Sequence, residues 1–305
     1  MNLFPQQLPR YVSKESRPKP TPESEQKLES EQKLDQEPVQ EQQEPVQEPV
    51  QEPVQEPVQE QQETIQESEQ TENNVCKRSI YGVYFIGCIG RYMDIVPEQM
   101  QCLFDSGLYH ETKTIFIFIS AFSNDNHELK SIIEEYDPDK KCVLITSDEN
   151  LYEKFAINNY KAYIETSLQS QSEGISPYYV YYFHSKAVTR DKYSVFDNRR
   201  KILNHYTLNL YRLNLELLEQ YDAVGCSLTN QPLLHFSGNF WWTKSEHVAK
   251  LPPCGNDYLA PEMYICRATD GKYISLSQHT NNADIHGNIS RSESIIRKEL
   301  TNIPL

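Results

Sequence analysis

From residue 76 onward, short apolar runs alternate with amphipathic stretches along this chain. SIYGVYFIG (79–87), TIFIFIS (114–120), CVLITS (142–147) and YYVYYFHS (178–185) are apolar, β-branched and aromatic runs of strand length. Between them, DIVPEQMQCLFDSG (94–107) sets Ile95, Met100, Leu103 and Phe104 at helical spacing, with Gly107 as a stop. NDNHELKSIIEEY (124–136) opens on capping residues and turns Leu129, Ile132 and Ile133 inward, and a further helix is predicted from about Glu149 to Ser167. Strands apolar on both faces, joined by helical crossovers, predict an α/β fold with a mainly parallel, Rossmann-like sheet between helices. Ligands of such sheets bind beyond the carboxyl ends of the strands.

The second half predicts a long helix over about 195–220, a strand at YDAVGCS (221–227) and a strand of different character at HFSGNFWWT (235–243). Short helices follow at SEHVAKL (245–251), capped by Ser245, and PEMYICRA (261–268), with Pro261 suited to a first helical position.

Before residue 76 this pattern is missing. Residues 1–75 hold 10 of the 18 prolines, no glycine or cysteine, and only Phe4 and Tyr11 as aromatics. The tetrapeptide QEPV repeats four times in tandem over 43–58, with another copy at 36–39. A proline every fourth residue removes a helical donor on each turn, and so little apolar surface cannot offset chain entropy. The predicted organisation is a disordered, extended Gln/Glu/Pro/Val-rich tail over 1–75 and one folded domain over 76–305.

Charge sharpens this division. The tail carries 6 basic and 17 acidic residues, −11 of the total −15, whereas the remainder holds 23 and 27 and is close to neutral. The folded part therefore has no electrostatic footprint for nucleic acid. Its seven cysteines follow no zinc spacing and several lie inside apolar runs, which suits free thiols in a reducing compartment. With no apolar leader and no apolar run of spanning length, the expectation is a soluble, cytoplasmic protein without a membrane span. The glycine-rich dinucleotide fingerprint, the P-loop and the nucleophile elbow are all missing.

Four stretches can carry chemistry. In YYFHSKA (181–187) a strand ends with His184 and Lys186 two apart, on one face at the carboxyl edge; the lysine can neutralise a phosphate, and the histidine can donate a proton or bind a metal. In HFSGNFWW, strand alternation puts Phe236, Gly238, Phe240 and Trp242 on a core face. It puts His235, Ser237, Asn239 and Trp241 on the other, a mixture suited to a sugar with polar edges and apolar faces. Glu262 stands just inside a predicted helix, where it complements the helix dipole or, facing the crevice, serves as a general base. NRRK (198–201) opens the long helix with basic residues, either for a bound anion or as a solvated charge run.

HFSGNFWWTKSEHVAKLP (235–252), with LFDSGLY (103–109), LYEKF (151–155), YYFHSK (181–186), YDAVG (221–225) and PEMYI (261–265), resembles glycosyltransferase-like proteins of bacterial surface-polysaccharide clusters and giant viruses. The resemblance spans about residues 80–265 and implies a GT-A-like fold that binds a nucleotide sugar. By that resemblance, the His184–Lys186 segment occupies the place of an acidic metal motif, and Ser237, Gly238, Asn239 and Trp241 line the sugar site. Glu262 is then the acceptor-side base, and Lys186, supported by Arg200, stabilises the departing diphosphate. A divalent metal, Mn²⁺ or Mg²⁺, can assist, with His184 as a possible ligand. The sequence departs from the family pattern in three places: Ala187 where a glycine follows the lysine, Arg199 where a tryptophan precedes the arginine, and Tyr264 where Glu-x-Trp is usual. The implied activity is transfer of a sugar from a nucleotide sugar to a hydroxyl of a glycan or protein acceptor. The alternative is a catalytically degenerate transferase fold that binds glycans or acts as a tethered interaction protein.

Overall fold

A computed structural model of the chain describes residues 78–123, 126–169, 177–192 and 194–277. The tail read over 1–75 and the segment from Gln278 onward lie outside the described residues. The strands are β1 (Ile80–Gly87), β2 (Thr112–Ser120), β3 (Cys142–Thr146), β4 (Tyr179–His184), β5 (Ala223–Gly225), β6 (Leu228–Thr229), β7 (His235–Phe236), β8 (Trp241–Lys244) and β9 (Tyr273–Ser275). The helices are α1 (Tyr92–Asp105), α2 (Leu108–Glu111), α3 (His127–Glu135), α4 (Glu153–Gln169), α5 (Val195–Asn204), α6 (Tyr211–Leu218), α7 (Ser245–Lys250) and α8 (Ala260–Met263). Among the described residues no helix is long and apolar enough to cross a membrane, and the cysteines form no disulfide.

Seven strands form one sheet in the order β3-β2-β1-β4-β8-β5-β9, and β6 and β7 form a separate antiparallel ribbon. Every pairing in the large sheet is parallel except those of β8, which runs against both β4 and β5. This is the mainly parallel, Rossmann-like α/β sheet that the apolar runs predict. All eight residues of β1 and all six of β4 are buried, as required of strands covered on both faces. Tyr84 on β1 stacks on Phe183 of β4, with centroids 4.1 Å apart and planes 7° from parallel.

The winding direction matters for function. The chain proceeds from β1 outward through β2 to β3, then returns to place β4 on the other side of β1. The strand order therefore reverses beside β1, and the carboxyl ends of β1 and β4 share the edge at which such sheets bind ligands. Because β8 is antiparallel, its first residue, Trp241, lies at this same edge.

Several elements differ from their predicted forms. The long helix is interrupted by a π-helical turn, His205–Asn209, closed by Leu210 N–H donating to His205 O at 3.0 Å. Within that turn Thr207 O accepts the indole N–H of Trp242 at 2.7 Å, so tertiary hydrogen bonding overrides helical periodicity. HFSGNFWWT is not one strand. A tight turn closed by Asn239 N–H to Phe236 O at 2.9 Å separates β7 from β8, with φ of 99° at Gly238 and 56° at Asn239. Strand alternation does not carry through such a turn, which explains why the two-faced reading fails. The fourth helix starts at Glu153 rather than near Glu149, and PEMYICRA supplies only the short α8. Ser245 does not cap α7: its hydroxyl accepts from Tyr178 N–H at 3.1 Å and donates to Glu246.

Candidate functional site

β4 ends in His184, and the chain leaves the sheet through Ser185 and Lys186. Ser185 Oγ accepts the Gly87 amide at 3.1 Å, and Arg91 N–H donates to Val188 O at 2.7 Å, which ties the loops after β1 and β4 together. From below, the fully buried Gln99 of α1 donates to His184 O at 3.0 Å and to Asn204 Oδ1 at 2.9 Å, and accepts from Tyr84 Oη at 2.8 Å. The end of β4 is thus held rigidly, as a site built on a strand requires.

Above it, hydrogen bonds run from His184 to Gly238 and link Asn239 to Glu153 and Trp241. His184 Nε2 donates to Gly238 O at 3.0 Å, which fixes the proton on that nitrogen, and Nδ1 stands 3.6 Å from Glu153 Oε1. Glu153 Oε2 accepts from Asn239 Nδ2 at 2.5 Å and from Tyr182 Oη at 3.3 Å. Asn239 Oδ1 in turn accepts the indole N–H of Trp241 at 2.9 Å. Burial pushes the His184 pKa below the usual imidazole range, with Glu153 opposing and Lys186 reinforcing the shift. Glu153 opens α4 and so brings its carboxylate from a different element to the turn of HFSGNFWW. In the sequence it stands only within LYEKF (151–155), with no role of its own.

A second set of groups is more open. Glu262 of α8 accepts the Gly238 amide at 2.6 Å. Lys186 is partly buried beside it and makes no side-chain hydrogen bond or ion pair among the described residues. Burial pulls the Lys186 ammonium below its ordinary range; Glu262 and Glu153 oppose this and Arg199 adds to it. Arg199 donates from its terminal nitrogen to Ser237 Oγ, while its Nε is buried with no partner. Its pKa is also lowered by burial, against the pull of Glu262. Ser227 follows β5; its carbonyl accepts the Ser237 amide at 3.0 Å, and its buried hydroxyl has no partner. Lys186 and Arg199 thus set two cations beside Glu262, with the Lys186 ammonium left without a side-chain partner among the described residues, as an anion site requires.

The backbone is strained at the same edge. Five of the six described non-glycine residues with positive φ (Ala121, Tyr152, Ala187, Ser227 and Asn239) lie on loops at the carboxyl ends of the parallel strands or at the start of β8. Ala187 has φ of 68°, a left-handed conformation that favours glycine.

The structure brings together His184, Lys186, Ser237, Gly238, Asn239 and Glu262, and corrects two other assignments. Arg200 does not reach the crevice. It is 0% exposed and forked onto Glu98 (3.2 and 2.7 Å), with a further bond to Asp197 at 2.5 Å. Burial lowers its pKa, but these two carboxylates outweigh that and raise it. Its neighbour Arg199 takes the crevice position. Trp241 is not a sugar-facing surface: it is 3% exposed and stacks on Tyr182 at 5.0 Å and 15°. Its role is to orient Asn239.

With its Nε2–H on the Gly238 carbonyl, His184 turns an unprotonated Nδ1 toward Glu153 Oε1 at 3.6 Å, the only other metal-ligating type of group in contact with it among the described residues. Among the described residues no three His, Cys, Asp or Glu side chains gather into a metal-binding group.

Fold and site together define a Rossmann-like α/β protein with Lys186, Arg199 and Glu262 gathered at the carboxyl edge of its sheet. The chain belongs to the family described as a domain of unknown function, DUF8361, whose model matches residues 87–284. No curated protein matches it. Among solved structures it is similar to a 4-diphosphocytidyl-2C-methyl-D-erythritol synthase, with 10% identity and a TM-score of 0.37 over 72% of this chain and 98% of that one. It is also similar to Rv0371c from Mycobacterium tuberculosis H37Rv, with 8% identity and a TM-score of 0.35 over the same shares of the two chains.

Proposed function

We propose that this protein is a glycosyltransferase that moves a sugar from a nucleotide-sugar donor to a hydroxyl of a glycan or protein acceptor. One observation carries the reading: the ammonium of Lys186, without a side-chain partner among the described residues, and the guanidinium of Arg199 flank one carboxylate, Glu262, at the carboxyl edge of the sheet. Glycosyl transfer needs both. The acceptor oxygen attacks the anomeric carbon, and the bond from that carbon to the β-phosphate oxygen breaks. The electron pair leaves with the nucleoside diphosphate, which Lys186 and Arg199 stabilise. Glu262 accepts the proton of the attacking hydroxyl. Ser237 and the Gly238–Asn239 turn orient the sugar, whose transition state is oxocarbenium-like.

Each buried cation loses favour by desolvation and regains it when an anion binds, so the ligand-free crevice is poised for a diphosphate. The test is thermal unfolding with UDP, GDP, CDP and ADP at millimolar concentration. A rise in Tm with at least one of them, lost in Lys186→Met, is the expected result. No shift with any of the four would overturn the reading.

A second reading, a degenerate transferase fold that binds glycans without turnover, draws on the Gly238 amide bond that already occupies Glu262 Oε1. It predicts glycan binding with no release of nucleotide from any donor.

A further inference from the structure

Gln99 of α1 lies wholly out of solvent, and three other elements bond its amide. Its Oε1 accepts from Tyr84 Oη of β1 at 2.8 Å, which turns both Nε2 hydrogens the other way. One goes to the carbonyl of His184, the last residue of β4, at 3.0 Å. The other goes to Oδ1 of Asn204, the last residue of α5, at 2.9 Å. Each acceptor belongs to a segment that carries one cation of the site. His184 O also accepts the backbone N–H of Lys186 at 2.7 Å, so it closes the turn by which Lys186 leaves the sheet. Asn204 ends the helix that carries Arg199, five residues or about 7.5 Å earlier. Between the two segments, residues 187–192 form turns and bends, with neither helix nor strand to set the spacing.

We propose that Gln99 is a positioning residue: by holding the end of β4 and the end of α5 on one amide, it sets the separation of the Lys186 ammonium and the Arg199 guanidinium. This rests on the transferase reading above, in which those two cations hold the departing diphosphate, and adds the residue that spaces them. Being fully buried, Gln99 touches no substrate. What the amide supplies is direction, two donors at a fixed angle, which an apolar side chain of the same volume cannot give. Spacing matters because a misplacement of about 1 Å between binding groups costs on the order of 100-fold.

Calorimetric titration of the full chain with inorganic pyrophosphate, UDP, GDP, CDP and ADP tests this, at a temperature where each variant is folded by circular dichroism. Gln99→Met keeps the length and volume of the side chain and removes both donors. Tyr84→Phe removes the bond on the other side of the same amide and leaves both donors in place, so it is the control for lost stability. Both variants are expected to lower Tm by similar amounts. Kd for the anion that the wild type binds most tightly is expected to rise at least tenfold in Gln99→Met and to stay within about twofold in Tyr84→Phe. Asn204→Ala cuts only the tie to α5 and is expected to raise Kd about threefold or more, which decides the matter if Gln99→Met does not fold. Wild-type affinity in Gln99→Met, or in Asn204→Ala where only that variant folds, overturns the positioning role. Equal losses of affinity in Gln99→Met and Tyr84→Phe overturn it too, because Gln99 then acts through stability alone. Either result leaves the transferase reading standing, since the wild type still binds the anion. Binding of none of the five by the wild type removes the transferase reading and this role with it.

Discussion

Gly238 donates its amide to Glu262 Oε1 at 2.6 Å while its carbonyl accepts from His184 Nε2 at 3.0 Å. One residue thus couples the end of a buried strand to the acid group of a distant short helix. It can do so because φ there is 99°, and because a side chain would have no room: a Cβ would lie 2.7 Å from Leu203 Cδ1.

Gly238→Ala is therefore expected to destabilise the fold by about 2 kcal/mol, from left-handed strain and overpacking together. Urea unfolding of the variant checks this. Wild-type stability would mean that the turn relaxes freely.

The opposite change is expected at Ala187. Its φ of 68° penalises a Cβ, so Ala187→Gly should stabilise by about 0.5–1 kcal/mol, read as a raised urea midpoint with the slope unchanged.

The two adjacent arginines should separate cleanly. Arg200→Met removes a fully buried guanidinium from both Glu98 and Asp197, the latter keeping its contact with Arg91 at 3.3 Å, at a cost of about 3 kcal/mol. Arg199→Met should leave stability within about 1 kcal/mol of wild type but weaken nucleoside diphosphate binding at least tenfold. Calorimetry on both variants decides between them.

Stability should also fall with acid. The folded-state pKa values of His184 and His247 are both lowered by burial, so the unfolded chain binds protons more readily. Their contribution is complete above the unfolded value of about 6.5 and is lost as pH drops through the lower folded values. His184→Gln should reduce the slope of stability against pH below 6.5 without abolishing it, since His247 remains.

Strands β1, β2 and β4 could be read directly from the sequence, because a strand covered on both faces must be largely apolar; the half-buried edge strand β3 showed itself by its β-branched run. The lone antiparallel β8 could not, since direction is set by partners distant in the chain. Strand alternation assigned Trp242 correctly to the core but misplaced Trp241, because it presumes extended backbone across Ser237–Asn239. Adjacent helical residues point about 100° apart, so choosing Arg199 over Arg200 needed the phase of α5, which a short basic run does not set. Glu153 is 86 residues from the Asn239 it holds, and no local pattern announces such a bond.

The central claim, sugar transfer at the Lys186–Glu262 crevice, is tested most directly by nucleotide release across a panel of nucleotide sugars with a mixed acceptor pool, with and without Mn²⁺ or Mg²⁺. Turnover of one donor is expected in the wild type, lowered at least 100-fold in both Lys186→Ala and Glu262→Ala while each variant keeps its folded spectrum. Equal turnover in the wild type and both variants would contradict the account.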